Sequence, residues 1–249
     1  MDLCCTVLLT PEALSFRHVN VSGSDTDETA TALAPKDDTP LLSIRWRTQL
    51  FVLQCMDEVF ASVQRAPEHV GSHSDARDRR VLSSRVSEIL RAACSASTAT
   101  HRAVRWQGLQ VLRDVLESFA DTRDPDFSEA RLLEQFQAQL AAALTPAFGA
   151  DSTPDVLAAA ISVCSVYIIA GVDASPTNRI LRLLGSALEQ TQSSEMSRLG
   201  ELPLTPNAAA YLNIAVLTAW ARLAIAQRPA ITNLLSPHVH TLAGAVLFS

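Results

Sequence analysis

Glycine is scarce in this sequence, with 8 residues in 249, and aromatic residues make up only 5%. Charged residues are also few, at 18%, against 48% hydrophobic. Little glycine and few aromatics, beside abundant alanine and leucine, disfavour sheets. They favour helices, because unbranched side chains lose little rotamer freedom there. No basic excess exists. The net charge is −6, which excludes a broad electrostatic claim on nucleic acid. The five cysteines, Cys4, Cys5, Cys55, Cys94 and Cys164, are odd in number and scattered beyond the first pair. That pattern argues against a secreted disulfide framework and fits a reducing cytosol. The start, "MDLCCTVLLTPEAL", has no basic region ahead of its apolar run, so it does not read as a signal peptide.

Catalytic signatures are missing too. There is no glycine-rich phosphate loop, no Cys-x-x-Cys and no His-Glu-x-x-His. His238 and His240 lie two apart, which on a helix points their imidazoles about 200° away from each other. Asp57-Glu58 and Asp124/Asp126 resemble paired carboxylates, but no suitably spaced His or Lys accompanies them to split their pKa values. They read as solvated faces or loops. Cys55, Cys94 and Cys164 lie in apolar helices and read as inert buried thiols. Cys4-Cys5 beside an apolar run admit acylation, or are the ragged end of a preceding repeat. No catalytic, cofactor or metal residue is assigned.

What is present is helical grammar. Residues 1–40 stand apart, ending in the small, polar, acidic stretch "SGSDTDETATALAPKDDTP". We expect an irregular or disordered N-terminal segment and linker there. From residue 41 to 249 the apolar residues recur at spacings of three and four. Helix one is expected over Leu41 to Arg65, helix two over Arg79 to Ser97, and helix three over His101 to Phe119. Helix four is expected over Ser128 to Phe148, and helix five from Thr153-Pro154 to Ala170, closed by Gly171. Ser175-Pro176, Thr205-Pro206 and Ser236-Pro237 open helices six, seven and eight. The pairs begin near residues 43, 101, 153 and 205, a period of about 50 to 58 residues. Two-helix units of such length, unable to bury an apolar face alone, point to an all-α solenoid of about four antiparallel helix pairs, of HEAT or armadillo type.

Two uncharged runs, Val156 to Val172 and Leu202 to Ala221, offer a rival reading as membrane spans near 156–172 and 202–221. Both are rich in alanine and lack basic flanks, so buried solenoid helices are the preferred reading. Arg77, Arg79, Arg80, Arg85 and Arg91 concentrate around helix two, as a salt-bridged face or as a patch for an acidic partner. Glu134, Gln135, Gln137 and Gln139 crowd helix four. They are either ordinary surface residues or donors and acceptors on a partner-binding face.

Several stretches also resemble a known family. "RWRTQLFVLQCMDEVF" (45–60), "RWQGLQVLRDVLESFAD" (105–121) with "DPDF" (124–127), and "LLEQFQAQLAAALTPAF" (132–148) come in order. "STPDVLAAAISVCSVYIIAGV" (152–172), "RILRLLGSALEQ" (179–190) and "VLTAWARLAI" (216–225) follow. Together, over about Ser43 to Ala226, they resemble the HEAT-repeat-containing protein five family, large accessory proteins of the type-one clathrin adaptor complex. The resemblance implies a cytosolic, non-enzymatic scaffold, without cofactor, that binds protein partners such as the clathrin adaptor complex or its accessory proteins. It implies peripheral membrane association through those partners at the trans-Golgi network, endosomes and clathrin-coated vesicles. It also implies a role in endosome–Golgi and endocytic transport and in protein localisation. Family members are many times longer, so the chain is read as a fragment or shortened member. The alternatives are an integral membrane protein and a helical-repeat binding module of an unrelated pathway. The apolar ending "TLAGAVLFS" leads us to expect self-association of the isolated chain.

Overall fold

Where the apolar period of three to four holds, helices form and stack along it. The computed structural model describes residues 4, 5, 8, 39–65, 85–124, 129–149, 151–170, 180–187, 198–199 and 202–226. Helix α1 spans Thr39–Arg65, α2 Val86–Ser97 and α3 Arg102–Phe119. Helix α4 covers Gln137–Leu144, α5 Pro154–Ile169 and α6 Pro206–Ile225. Residues 180–187 are helical as well. Among the described residues the one sheet is a two-residue antiparallel pair, Arg198–Leu199 with Leu202–Pro203, just before α6. It leaves the all-α class intact.

The helices fall into two rows. In the first row α1 packs on α3, α3 on α5 and α5 on α6. In the second row α2 packs against both α3 and α4. The first residues of α3, α5 and α6 are 52 positions apart in each case. This is a HEAT-type solenoid of stacked helix pairs. The described residues hold three pairs and the first helix of a fourth. The expected eighth helix, the openings at Ser175 and Ser236, and Gly171 lie outside the described residues.

The core is one continuous cluster through the stack. Leu53, Met56 and Phe60 of α1 are fully buried, and Phe60 meets Phe119 of α3 edge to face at 6.3 Å. Gly108 of α3 allows close approach to α2. A Cβ there would stand 2.7 Å from the Ser97 backbone nitrogen and 2.8 Å from Ala96 carbons. Helix α5 is apolar all round because neighbours cover both flanks, and twelve of its residues, from Val156 to Ile168, are buried. This accounts for one of the two uncharged runs.

Two sequence expectations are corrected. Helix four does not run unbroken from Ser128 to Phe148. Only Gln137–Leu144 is α-helical, flanked by 3₁₀ turns at Glu134–Phe136 and Thr145–Phe148. Ahead of it, Asp124 N–H donates to the Ala130 carbonyl (3.0 Å) and Leu132 N–H to that of Thr122 (2.9 Å), tying the chain into a bridge. Behind it, Pro146 has no N–H for the next helical bond, and both the backbone N–H and the hydroxyl of Thr145 donate to the Ala141 carbonyl, the hydroxyl at 2.7 Å. Helix two begins at Val86, with residues 79–84 outside the described set. Of residues 1–38, Cys4, Cys5 and Leu8 are the ones described. These three are helical, and Cys5 and Leu8 are buried in the core.

Candidate interaction surface

The large apolar side chains left exposed among the described residues all belong to the first row. They are Phe51 and Val59 on α1, Trp106 on α3, and Tyr211, Ile214 and Ile225 on α6. Phe51 is 65% exposed, Ile214 63% and Ile225 79%. Exposed apolar groups concentrated on one row of helices mark a surface used for contact. The face is stitched between repeats by Arg102 of α3, whose Nε donates to Asp155 of α5 at 2.9 Å. Burial raises the Asp155 carboxyl, but the Thr153 hydroxyl and the Arg102 guanidinium beside it more than offset this, and its pKa lies below the ordinary value.

Between α3 and α6 the outer face of α5 carries only small side chains, Ala158, Ala159, Ser162 and Ser165. The result is a trough of about 310 Å³. Trp106, Gln110 and Arg113 form one wall, and Tyr211, Ile214, Thr218 and Arg222 the other. The stripe at 158, 159, 162 and 165 follows helical spacing and was visible in the sequence, but its place as the floor of a trough between two other helices was not. A larger cleft of about 580 Å³ opens where α1 meets the α2–α3 turn. There the Trp46 and His101 rings stack at 3.8 Å and 8°, with the Arg47 guanidinium 5.4 Å from the Trp46 ring centre.

The structure relocates most of the candidate residues. Gln135 donates to Asp124 at 3.2 Å within the α3–α4 connection, and Gln139 of α4 bonds to the Cys94 thiol of α2 in the preceding pair. Arg131 of the α3–α4 connection donates to the Ala170 carbonyl at the end of α5, in the following pair. Arg85 pairs with Glu88 at 2.7 Å and holds that carboxyl below its ordinary value. Arg77, Arg79, Arg80, Asp126, His238 and His240 lie outside the described residues. Cys94 and Cys164 are buried thiols; burial pushes Cys94 up to about 12 and raises Cys164 further. Cys5 is buried and raised as well, chiefly by desolvation, while Cys4 and Cys55 are half-buried. Sequence reading paired Asp57 with Glu58, yet the partner that meets Asp57 is Asp114 of α3. Asp114 is 7% exposed, bonds to Asp57, and accepts from Arg113 Nε and Nη2 at 3.2 and 3.0 Å. Its position inside an apolar row was the available signal. No group of three metal-ligating side chains occurs among the described residues.

The family model for the Laa1/Sip1/HEATR5 HEAT repeat region matches residues 81–246, from just ahead of α2 to beyond α6. The chain belongs to this HEAT-repeat family. It is 31% identical to the AP-1 accessory protein LAA1 of Saccharomyces cerevisiae over 145 residues, 57% of this chain and 7% of that protein. It is 29% identical to Protein SWEETIE of Arabidopsis thaliana over 196 residues, 72% of this chain and 8% of that one. The chain thus spans less than a tenth of the length of these relatives. No solved structure matches it. Helix α1 precedes the matched region, but its packing on α3 continues the same stack.

Proposed function

We propose that the chain is a non-enzymatic segment of a HEAT-repeat scaffold that works with the type-one clathrin adaptor complex. In this reading it is cytosolic and reaches the trans-Golgi network, endosomes and clathrin-coated vesicles through its protein partners. It serves transport between endosomes and the Golgi, endocytic traffic and protein localisation. Residues 41–249 form the solenoid of about four helix pairs, preceded by the segment over 1–40. The observation that carries the reading is membership of the family together with similarity to a protein named as an AP-1 accessory factor. The exposed apolar face of the first row agrees with it, since a scaffold needs contact surface and no cofactor. The test is affinity isolation of the tagged natural protein from cytosol, followed by immunoblotting for adaptor subunits. Adaptor enrichment over a tag-only control is the expected result. Its absence from repeated isolations overturns the proposal.

A further inference from the structure

We infer that the trough along α5 receives an acidic amphipathic helix from a partner protein, seated between Trp106 and Tyr211 with its carboxylates against Arg113 and Arg222. The inference deepens the scaffold reading and rests on it for the existence of a protein partner. Three features of the trough choose the occupant. Its floor is small and its walls carry Trp106, Tyr211 and Ile214, so it takes large apolar side chains from above. At about 310 Å³ it lies at the small end of the ligand-pocket range and has room for a few side chains. It is also built from helices alone. Their backbone groups are satisfied internally, so an extended peptide would find no ladder to join and would lose water from its own N–H and C=O groups. A helix satisfies its own backbone and presents apolar residues at spacings of three and four.

Charge selects the sign. Among the described residues the charged groups lining the trough are Arg113 on the α3 wall and Arg222 on the α6 wall; Asp114, which pairs with Arg113, does not line it. Arg222 is exposed. Arg113 gives Asp114 two of its five N–H donors and keeps the others for a ligand. Two arginines on opposite walls of a floor of small side chains, in a chain of net charge −6, select carboxylates flanking an apolar stripe.

The test uses the 249-residue chain and two labelled peptides of about 15 residues. Both carry leucines on one helical face; one has glutamate flanks and the other lysine flanks. In fluorescence anisotropy at low salt the glutamate peptide is expected to bind at least about ten-fold more tightly. Arg222→Glu should abolish that preference. Ile214→Asp, at an exposed site, should abolish binding of both peptides while far-UV circular dichroism and Tm stay unchanged. The proposal is overturned if neither peptide binds, if the two bind equally, or if both variants bind as the parent does. It is also overturned if size-exclusion chromatography shows a dimer that Ile214→Asp dissolves, since the occupant is then a second copy. Adaptor isolation with the parent chain runs in parallel. Adaptor capture without peptide binding removes the trough and leaves the scaffold reading; peptide binding without adaptor capture does the reverse.

Discussion

Asp114 lies in a buried apolar row of α3, and burial with the bond to Asp57 pushes its carboxyl up to about 7, against the pull of Arg113. In the unfolded chain the same group titrates near 4. Between about pH 4 and pH 7 the folded state therefore binds more protons, and stability falls as pH rises through that window. Thermal melts should show a lower Tm at pH 8 than at pH 5, and Asp114→Asn should flatten this difference. An identical pH dependence in the variant would remove Asp114 as its source. Gly108 gives a second test at this scale. Alanine there gains about 1 kcal/mol of helix propensity. Its methyl, however, would meet backbone atoms of Ser97 and Ala96 inside 3 Å, and such overpacking costs about 1 to 3 kcal/mol. Gly108→Ala is expected to lower the denaturation midpoint, and Gly108→Val to lower it more. A stabilised alanine variant would mean that α2 and α3 separate easily.

Helix starts show what a residue pattern conveys about an element and where it stops. Both Thr153-Pro154 and Thr205-Pro206 mark the openings of α5 and α6. Only Thr205 completes the cap, accepting from the Ala208 N–H at 3.3 Å; Thr153 makes no such bond. Thr205→Ala should therefore cost about 1 kcal/mol, the usual worth of an N-cap. Thr153→Ala should cost markedly less in the same urea titration, and equal losses would refute the distinction. The bounds of α1, α3 and α5 and the opening of α6 were legible because each is a local periodic run, with a Thr-Pro start for α5 and α6. The broken fourth helix was not. Leu132, Leu133, Leu140 and Leu144 are buried as their spacing suggested, yet a bridge across residues 123–131 and a proline decide the backbone between them. Spacing reports burial; it does not report a long-range hydrogen bond. For the same reason Gln135 and Gln139 looked like surface donors until Asp124 and Cys94 were placed beside them. The trough was hidden similarly: its parts come from three helices that lie far apart in the sequence.

At the scale of the whole molecule, the two uncharged runs take different places in one stack. Pro154–Ile169 is shorter than a span requires and is buried between α3 and α6. Moving it into lipid would strip both neighbours of their partner and break the Arg102–Asp155 pair. Pro206–Ile225 is long and apolar enough to cross a membrane by length and composition, and 28% of its 18-residue apolar window is buried within the protein. Its buried stripe, Leu212, Val216, Ala219, Trp220 and Leu223, is the seam to α5, so insertion would cost the solenoid that contact. Its other face carries Arg222 beside Tyr211 and Ile214, a mixed surface suited to a protein ligand. The chain expressed in cells should therefore leave membranes on carbonate extraction, together with other peripheral proteins. Retention in the carbonate pellet alongside a spanning marker would show that α6 inserts. The same retention would remove the trough, because α6 supplies one of its two walls.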